Sequence, residues 1–386
     1  MTVAHYIRQV LVNPLSGYYM HGDVFGQQGD FVTSPEISQM FGELCGIWYL
    51  TEWMRLGKPA KTQIIEFGPG RGTLMSDMIR TWRQFPYFYK TISGIHLIEA
   101  SPGLRKMQRA NLVQGSLDTD VKRIETKETA GMNPTESIST QDGIKISWHD
   151  GIELVPEQWS FIMAHEFFDA LPVHSFEKTS EGWRELLVDI DDTNETEYNF
   201  RLVRSPADTM AGKFYMKDET YTSYKVGDRI EISPDSWTMA TQMAKLVNTH
   251  GGSGLLIDYG QDYAQGDTLR AIRKHKFVHP MTEPGSADLS VDVDFNALKV
   301  NMRKDTDISV HGPVTQSEFL QSLGIQVRME MLLKNATSRA SRNSIIEGFK
   351  RLLDPSAMGR IYKVLAFSNE STSTEEAKPV GFHHLE

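Results

Sequence analysis

Residues 62–73 read Thr-Gln-Ile-Ile-Glu-Phe-Gly-Pro-Gly-Arg-Gly-Thr, an apolar strand that runs into a glycine turn and then a helix. Ile64, Ile65 and Phe67 suit a strand buried on both faces, as in a parallel sheet. Gly68, Gly70 and Gly72 let the backbone turn sharply and approach a ligand without Cβ clashes. Leu74, Met75, Met78, Ile79 and Trp82 then recur at helical spacing. A strand, turn and helix of this kind offer unpaired N–H groups to a ligand at the carboxyl edge of the sheet. An ordinary tight turn is the alternative, and the neighbouring residues weigh between the two.

A dinucleotide site uses G-x-G-x-x-G so that a pyrophosphate can sit on the helix N-terminus. Here the pattern is G-x-G-x-G, and Glu66 closes the strand beside the turn. A carboxylate there repels a pyrophosphate and attracts a cationic amino-acid group. The chain also lacks G-x-x-x-x-G-K-[ST], the cradle for a nucleoside triphosphate. One strand later, Ile95-His96-Leu97-Ile98-Glu99 ends in a second acid, placed to accept hydrogen bonds from ribose hydroxyls. S-adenosylmethionine fits both acids: it has an ammonium and a sulfonium, a ribose, and no phosphate. The expected cofactor-binding residues are Glu66, Gly68, Pro69, Gly70, Gly72, Thr73 and Glu99, with Trp148 and Asp150 beside an adenine ring.

The 386 residues suffice for one large or two modest domains. A net charge of −10 argues against a general nucleic-acid binder, and Arg273-Lys274-His275-Lys276 is the only tight basic cluster. The single cysteine, Cys45, excludes an intrachain disulfide and a Cys-rich zinc site. Its apolar surroundings read as those of a buried thiol. The histidines show no metal-ligand spacing, so no metal is expected. No run approaches ~20 apolar residues, so nothing is expected to span a membrane. The start, Met1-Thr2-Val3-Ala4-His5-Tyr6-Ile7, reads as an amphipathic structural segment rather than a presequence. The expectation is a cytosolic protein, or one whose leader is not part of this chain.

The spacing predicts an N-terminal helical and loop segment over 1–45, with Ser34 capping a helix whose apolar face is Ile37, Met40, Phe41, Leu44 and Trp48. The core would then run over 46–180, interrupted by a β-rich insertion at 181–232, and resume over 233–368 before a disordered tail at 369–386. Core strands are expected at about 62–67, 94–99, 144–148, 160–165 and 255–258, with final strands near 325–329 and 362–367. The polar stretch 114–143 reads as a short helix and a mobile surface insertion, and 185–190 with 198–203 as a hairpin. Strands alternating with helices imply an α/β, doubly wound, mostly parallel sheet of the Rossmann-like type.

Three further clusters could carry chemistry. Gly29 to Glu36 places Asp30 and Glu36 around a helix start, for which Thr33-Ser34-Pro35-Glu36 is adequate capping sequence in itself. Ala164 to Pro172 sets Glu166 and Asp169 around two phenylalanines at a strand exit, where open α/β sheets place catalytic groups. A helix N-terminus would explain the same two acids. Trp148-His149-Asp150 ends the third strand, and a core tryptophan before a surface turn is the plain alternative to an adenine contact. Asp258-Tyr259-Gly260 and Pro284 to Leu289 complete the edge loops with weaker signals.

Together these residues resemble the MidA family, over roughly Val3 to Phe367. The resemblance rests on Gly17-Tyr18-Tyr19, Gly29 to Gln39, Phe41-Gly42-Glu43-Leu44, Glu66 to Leu74, His165 to Val173 and Gly285-Ser286-Ala287-Asp288-Leu289. It implies a class I S-adenosylmethionine-dependent fold and a protein arginine methyltransferase of the mitochondrial matrix. The implied partner is a protein substrate, a matrix-arm subunit of complex I whose arginine is symmetrically dimethylated during assembly. Arginine is a difficult nucleophile because its guanidinium stays positive. Carboxylates that grip it supply negative charge and fix which nitrogen faces the methyl. Glu166 and Asp169 lead as catalytic candidates, followed by Asp30 and Glu36. A nicotinamide enzyme and a non-catalytic complex I assembly chaperone are the competing readings. Target arginine and oligomeric state are left open by the sequence.

Overall fold

The computed structural model describes residues 1–20, 33–114, 136–140, 142–193, 198–216, 221–369 and 378–383. They form two compact units, one from residues within 32–167, 241–259 and 302–386, the other from residues within 1–31, 168–240 and 260–301. The segment expected as one piece at 1–45 is therefore divided between them.

The larger unit is built on β1 (Thr62–Phe67), β2 (Ile92–Ile98), β3 (Ser137–Ser139), β4 (Lys145–His149), β5 (Ser160–His165), β10 (Gly252–Gln261), β15 (Ser309–Thr315) and β16 (Tyr362–Ser368). They lie side by side in the order β15-β16-β10-β5-β1-β2-β4-β3. The run β4-β2-β1-β5-β10 is parallel, whereas β3, β16 and β15 join antiparallel. This is the doubly wound, mostly parallel sheet expected. Strand order reverses between β1 and β5, and ligands of open α/β sheets bind at the carboxyl side of that reversal.

Helices α2 (Ser34–Ile37), α3 (Gln39–Arg55), α4 (Thr73–Trp82), α5 (Pro86–Tyr89), α6 (Pro102–Gln114), α10 (Gln316–Ser322), α11 (Ile325–Asn335), α12 (Arg339–Leu353) and α13 (Met358–Ile361) belong to this unit. Every residue of β1 is buried, and α3 and α4 bring Trp48, Tyr49, Met78 and Trp82 to the same core. Tyr49 lies edge-on to Phe161 at 5.1 Å and to Trp82 at 6.2 Å. Such aromatic burial, at about 25 cal/mol per Å², is the main stabilising term here. Gly42 permits the close approach of α3 to α4, since a Cβ there would stand 2.6 Å from that of Asp77.

Three expectations are corrected. Ser34 does not cap one long helix: Thr33 stands at the cap of α2, and Ser38 starts α3 by accepting from Met40 N at 3.3 Å. Ser34 is buried instead and donates to Gln316 Oε1 at 3.2 Å. Residues 325–329 are the first turns of α11, not a strand. Left-handed Gly324 restarts the helix, so that Ile325, Met329 and Leu332 reach the core while Arg328 pairs with Glu43. The true edge strand is β15. Helix α6 precedes the polar stretch and ends at Gln114; the short helix and insertion expected over 114–143 fall largely on 115–135, which lie outside the described residues. Of the tail, residues 378–383 are folded: Phe382 is buried against Phe319, and Val380 O accepts from Trp48 Nε1 at 3.1 Å.

The smaller unit holds α1 (Val3–Val12), β6 (His174–Thr179), β7 (Gly182–Ile190), β8 (Phe200–Arg204), α7 (Met210–Tyr215), β9 (Arg229–Ile232), β11 (Arg270–Arg273), β12 (Lys276–Val278), β13 (Asp288–Ser290) and β14 (Val293–Asp294). Helices α8 (Pro234–His250) and α9 (Phe295–Arg303) start in it. Its sheets are β8-β7-β6-β9 and β12-β11-β13, all antiparallel, while β14 pairs with the end of β10. The expected hairpin is β7–β8. Thr2 caps α1, whose Val3, Tyr6, Ile7, Val10 and Leu11 pack with Val188, Ala271 and Leu289.

Candidate active site

Glu66 lies next to last in β1, and the chain then turns through Gly68, Gly70 and Gly72, all with positive φ of 57°, 52° and 80°. Pro69 O accepts from Gly72 N at 2.7 Å, closing the turn, and Gly72 caps α4, which starts at Thr73. A Cβ on Gly68 would come within 3.2 Å of the Phe167 ring, which also packs on Phe67 at 5.3 Å. The exit of β5 thus seats directly on the glycine turn. The Glu66 carboxyl is 2 % exposed, and its Oε2 has no hydrogen-bond partner. Burial pushes its pKa up to about 8. A buried carboxyl left in this state is one that a cation would complete.

Glu99 follows β2 directly. Its Oε1 accepts from Ser101 N at 2.8 Å and its Oε2 from Gln108 Nε2 at 3.1 Å. Each oxygen keeps a second lone pair, as recognition of two ribose hydroxyls requires. Burial raises its pKa to about 7 against these hydrogen bonds and Arg105, which pull it down.

Gln108, on α6, was missed by sequence reasoning. It is fully buried, donates to Gly70 O at 2.7 Å as well as to Glu99, and accepts from Trp148 Nε1 at 2.8 Å. One amide therefore ties the glycine turn, the second acid and β4 together. Leu104, Gln108 and Leu112 stand four residues apart, so a glutamine inside an apolar stripe was the available signal.

Trp148 has no exposed surface, its only polar atom is taken by Gln108, and Arg109 lies 5.4 Å over its ring. It backs the site rather than lining it, which corrects the expected adenine contact. Asp150 is partly exposed and ion-paired with Arg105, whose Nε donates to Glu99 O at 2.7 Å.

Glu166 follows β5 with φ of 50°, a left-handed conformation that residues with a Cβ avoid. Its N–H donates to Ile257 O at 2.9 Å, and His165 Nε2 stands 3.5 Å from its Oε1. Burial lowers the His165 pKa to about 3, so the imidazole is neutral. Glu36 is half-buried on α2, and Asp30 lies outside the described residues. Glu66, the glycine turn, Glu99 and Glu166 thus share the carboxyl edge of one sheet.

Asp169 belongs to the smaller unit, on a short turn over Phe168–Ala170. Its carbonyl accepts from Val291 N at 3.0 Å. Nearby, Tyr19 donates to Asp288 Oδ1 at 2.7 Å, and burial beside Asp288 and Asp169 holds its phenol well above the ordinary range. Blocks 17–19, 169–171 and 285–289 therefore converge within this unit. Gly285 fits there because a Cβ would strike Ser16 O.

An orphan buried acid, a close-approach glycine turn and a second acid with lone pairs to spare define a site for a cationic nucleoside without phosphates. The class is that of S-adenosylmethionine-dependent methyltransferases. The family model for S-adenosyl-L-methionine-dependent methyltransferases of this kind matches residues 44–314. Protein arginine methyltransferase NDUFAF7, mitochondrial, from Bos taurus is 38% identical over 98% of this chain and 84% of its own length. The Homo sapiens protein is 39% identical over 95% and 79%, and the Drosophila melanogaster homologue 38% over 94% and 80%. A Burkholderia thailandensis protein, solved bound to S-adenosyl-homocysteine, shares the fold with a TM-score of 0.78 at 21% identity, covering 100% of this chain and 90% of its own. The chain belongs to the MidA family of protein arginine methyltransferases, and its cofactor is S-adenosylmethionine. Its relatives are named mitochondrial, and no helix of the described residues is long and apolar enough to cross a membrane.

Proposed function

We propose that the protein symmetrically dimethylates an arginine in a matrix-arm subunit of complex I, in the mitochondrial matrix, and so promotes assembly of the complex. One observation carries the cofactor half of this reading: the orphan Oε2 of Glu66 beside the glycine turn, with Glu99 one strand away. Glu66 would hold the ammonium end, Glu99 the ribose, and the turn over Gly68, Pro69, Gly70, Gly72 and Thr73 the backbone contacts. Gln108 would position Glu99. When bound, the cofactor supplies an electrophilic methyl group on a sulfonium.

The protein's share of the chemistry is alignment and charge. A guanidinium must approach a second cation, which only nearby carboxylates make tolerable. Glu166 takes that role first: it stands at the sheet's carboxyl edge, and the histidine beside it is neutral. The guanidinium nitrogen that takes the methyl, as the carbon–sulfur bond breaks and the sulfur leaves as a neutral thioether, would shed a proton, and the Glu166 carboxylate is the proposed acceptor. Asp169, Asp30 and Glu36 are proposed as further catalytic carboxylates, each to be tested singly.

Calorimetry with S-adenosylhomocysteine and with NADH, followed by transfer of labelled methyl to the complex I subunit, tests both halves. Binding of S-adenosylhomocysteine alone and label on arginine are expected. Preference for NADH removes the cofactor assignment. Binding without label on arginine removes the substrate assignment and leaves a non-catalytic assembly role.

A further inference from the structure

The chain carries a net −10, and most described arginines are matched by carboxylates: Arg55 by Glu52, Arg184 by Asp208, Arg229 by Asp267, Arg328 by Glu43. The helical hairpin of α11 and α12 departs from this. Exposed Lys334, Arg339, Arg342, Lys350 and Arg351, with Arg360 on α13, make no ion pair among the described residues. Residues 325–363 hold eight Lys/Arg against three Asp/Glu, on an otherwise strongly acidic chain. The cations are spaced along helices, so no contiguous basic run announces them.

The hairpin is firmly built. Ile325 and Leu352 are buried, and Ile345, Phe349 and Leu353 pack against the same core. Gly348 permits contact with the junction of α2 and α3, since a Cβ there would stand 3.2 Å from Ile37 O. Arg342 Nε reaches Ala336 O at 3.4 Å across the connecting turn. With one side of α12 spent on the core, Arg339 and Lys350, three turns apart, recur on the other beside Arg351, and exposed Arg342 flanks them in the first turn. Val327 and Met331, one turn apart on α11, are 62% and 50% exposed.

We propose that this face docks an acidic, amphipathic helical segment of a partner protein. Charge complementarity selects the occupant: unpaired guanidinium forks match carboxylates in bidentate fashion, and an acidic surround steers away any partner that is negative beyond the patch. A nucleic-acid duplex is negative along its whole length. A lipid surface would find no exposed aromatic side chain on the hairpin. A second copy meeting it across a two-fold axis would oppose like charges. The inference goes beyond the methyl-transfer reading and needs neither cofactor nor catalysis.

The test uses the full chain and a labelled Leu/Glu helical peptide of about 18 residues, long enough to run the length of α12. Binding should weaken with salt and fall at least about tenfold in the combined Arg339→Glu, Arg342→Glu, Lys350→Glu, Arg351→Glu variant. Its melting temperature and S-adenosylhomocysteine binding should be unchanged. If that variant misfolds, the milder Arg339→Gln, Arg342→Gln pair should give the same loss in smaller measure. Unaltered peptide binding in the folded variant overturns the proposal. Equal binding of a Leu/Gln peptide, tighter binding of anionic vesicles or of duplex DNA, or charge-dependent self-association without peptide binding does so too.

Discussion

Glu66 is a buried carboxylic acid, protonated at neutral pH, at the place proposed above for a cation. Its pKa of about 8 means that binding an ammonium at pH 7 must expel a proton. S-adenosylhomocysteine affinity should therefore rise with pH, by up to about tenfold per unit, and level off above 8. Calorimetry in buffers of different ionisation enthalpy measures the proton directly; a flat profile with none released would remove Glu66 from the site. Glu66→Gln should bind more weakly with the pH dependence gone. Gln108 tests a different link. Gln108→Leu strands the Trp148 N–H and the Gly70 carbonyl, at about 1–3 kcal/mol for each buried group left alone. We expect KM for the cofactor to rise about tenfold while kcat moves little, because the residue positions Glu99 rather than touching reacting atoms. Equal losses in kcat and kcat/KM would refute that assignment.

Among the elements, the glycine turn and the exit of β5 act as one part. Gly68→Ala meets both a positive φ and the Phe167 ring, and should cost about 1–2 kcal/mol and much of the cofactor affinity. Shortening Phe167 to Leu in the same chain should return part of the loss, and a double-mutant cycle reads the coupling. An additive result would mean that only backbone strain matters. These elements were legible because β1 is a short apolar run ending at glycines, and β5 and β10 repeat the apolar run. α11 was not: Ile325-Gln326-Val327-Arg328-Met329 alternates like a strand, and only Gly324 with the pairing of Arg328 makes it a helix. Of the site, the acids could be read because a carboxyl at a strand end is costly without a purpose. Gln108 could not, since sequence does not reveal which way a helix turns its polar residue. The serine- and threonine-rich composition after Ser368 likewise concealed Phe382, which is set against Phe319. Phe382→Ala should cost about 3 kcal/mol, read as a lower unfolding midpoint; an unchanged midpoint would mean that the segment adds nothing.

For the molecule as a whole, buried titratable groups pull stability in opposite directions. Burial lowers His96 and His165 to about 3 and His149 to about 4, and His96 Nδ1 and His149 Nε2 meet at 2.9 Å between β2 and β4. Lowered histidine values contribute stability that is present above the unfolded value near 6.5 and lost as pH falls toward 4. The slope is roughly 1.4 kcal/mol per pH unit for each. Raised Glu66 does the reverse: its contribution is intact below about 4.5 and lost as pH climbs to about 8. Ligand-free protein should thus melt highest in between, and His96→Phe should blunt the acid limb. An acid limb equally steep in that variant would exclude the pair. The strand order adds a kinetic consequence. β1 ends at Phe67 and must wait for β5, which begins at Ser160, to cover its inner edge. A growing chain therefore carries Ile64 and Ile65 on an open, sticky border for roughly a quarter of translation. Slower synthesis in the cold, or a holdase present during it, should raise the soluble yield more than any later refolding step.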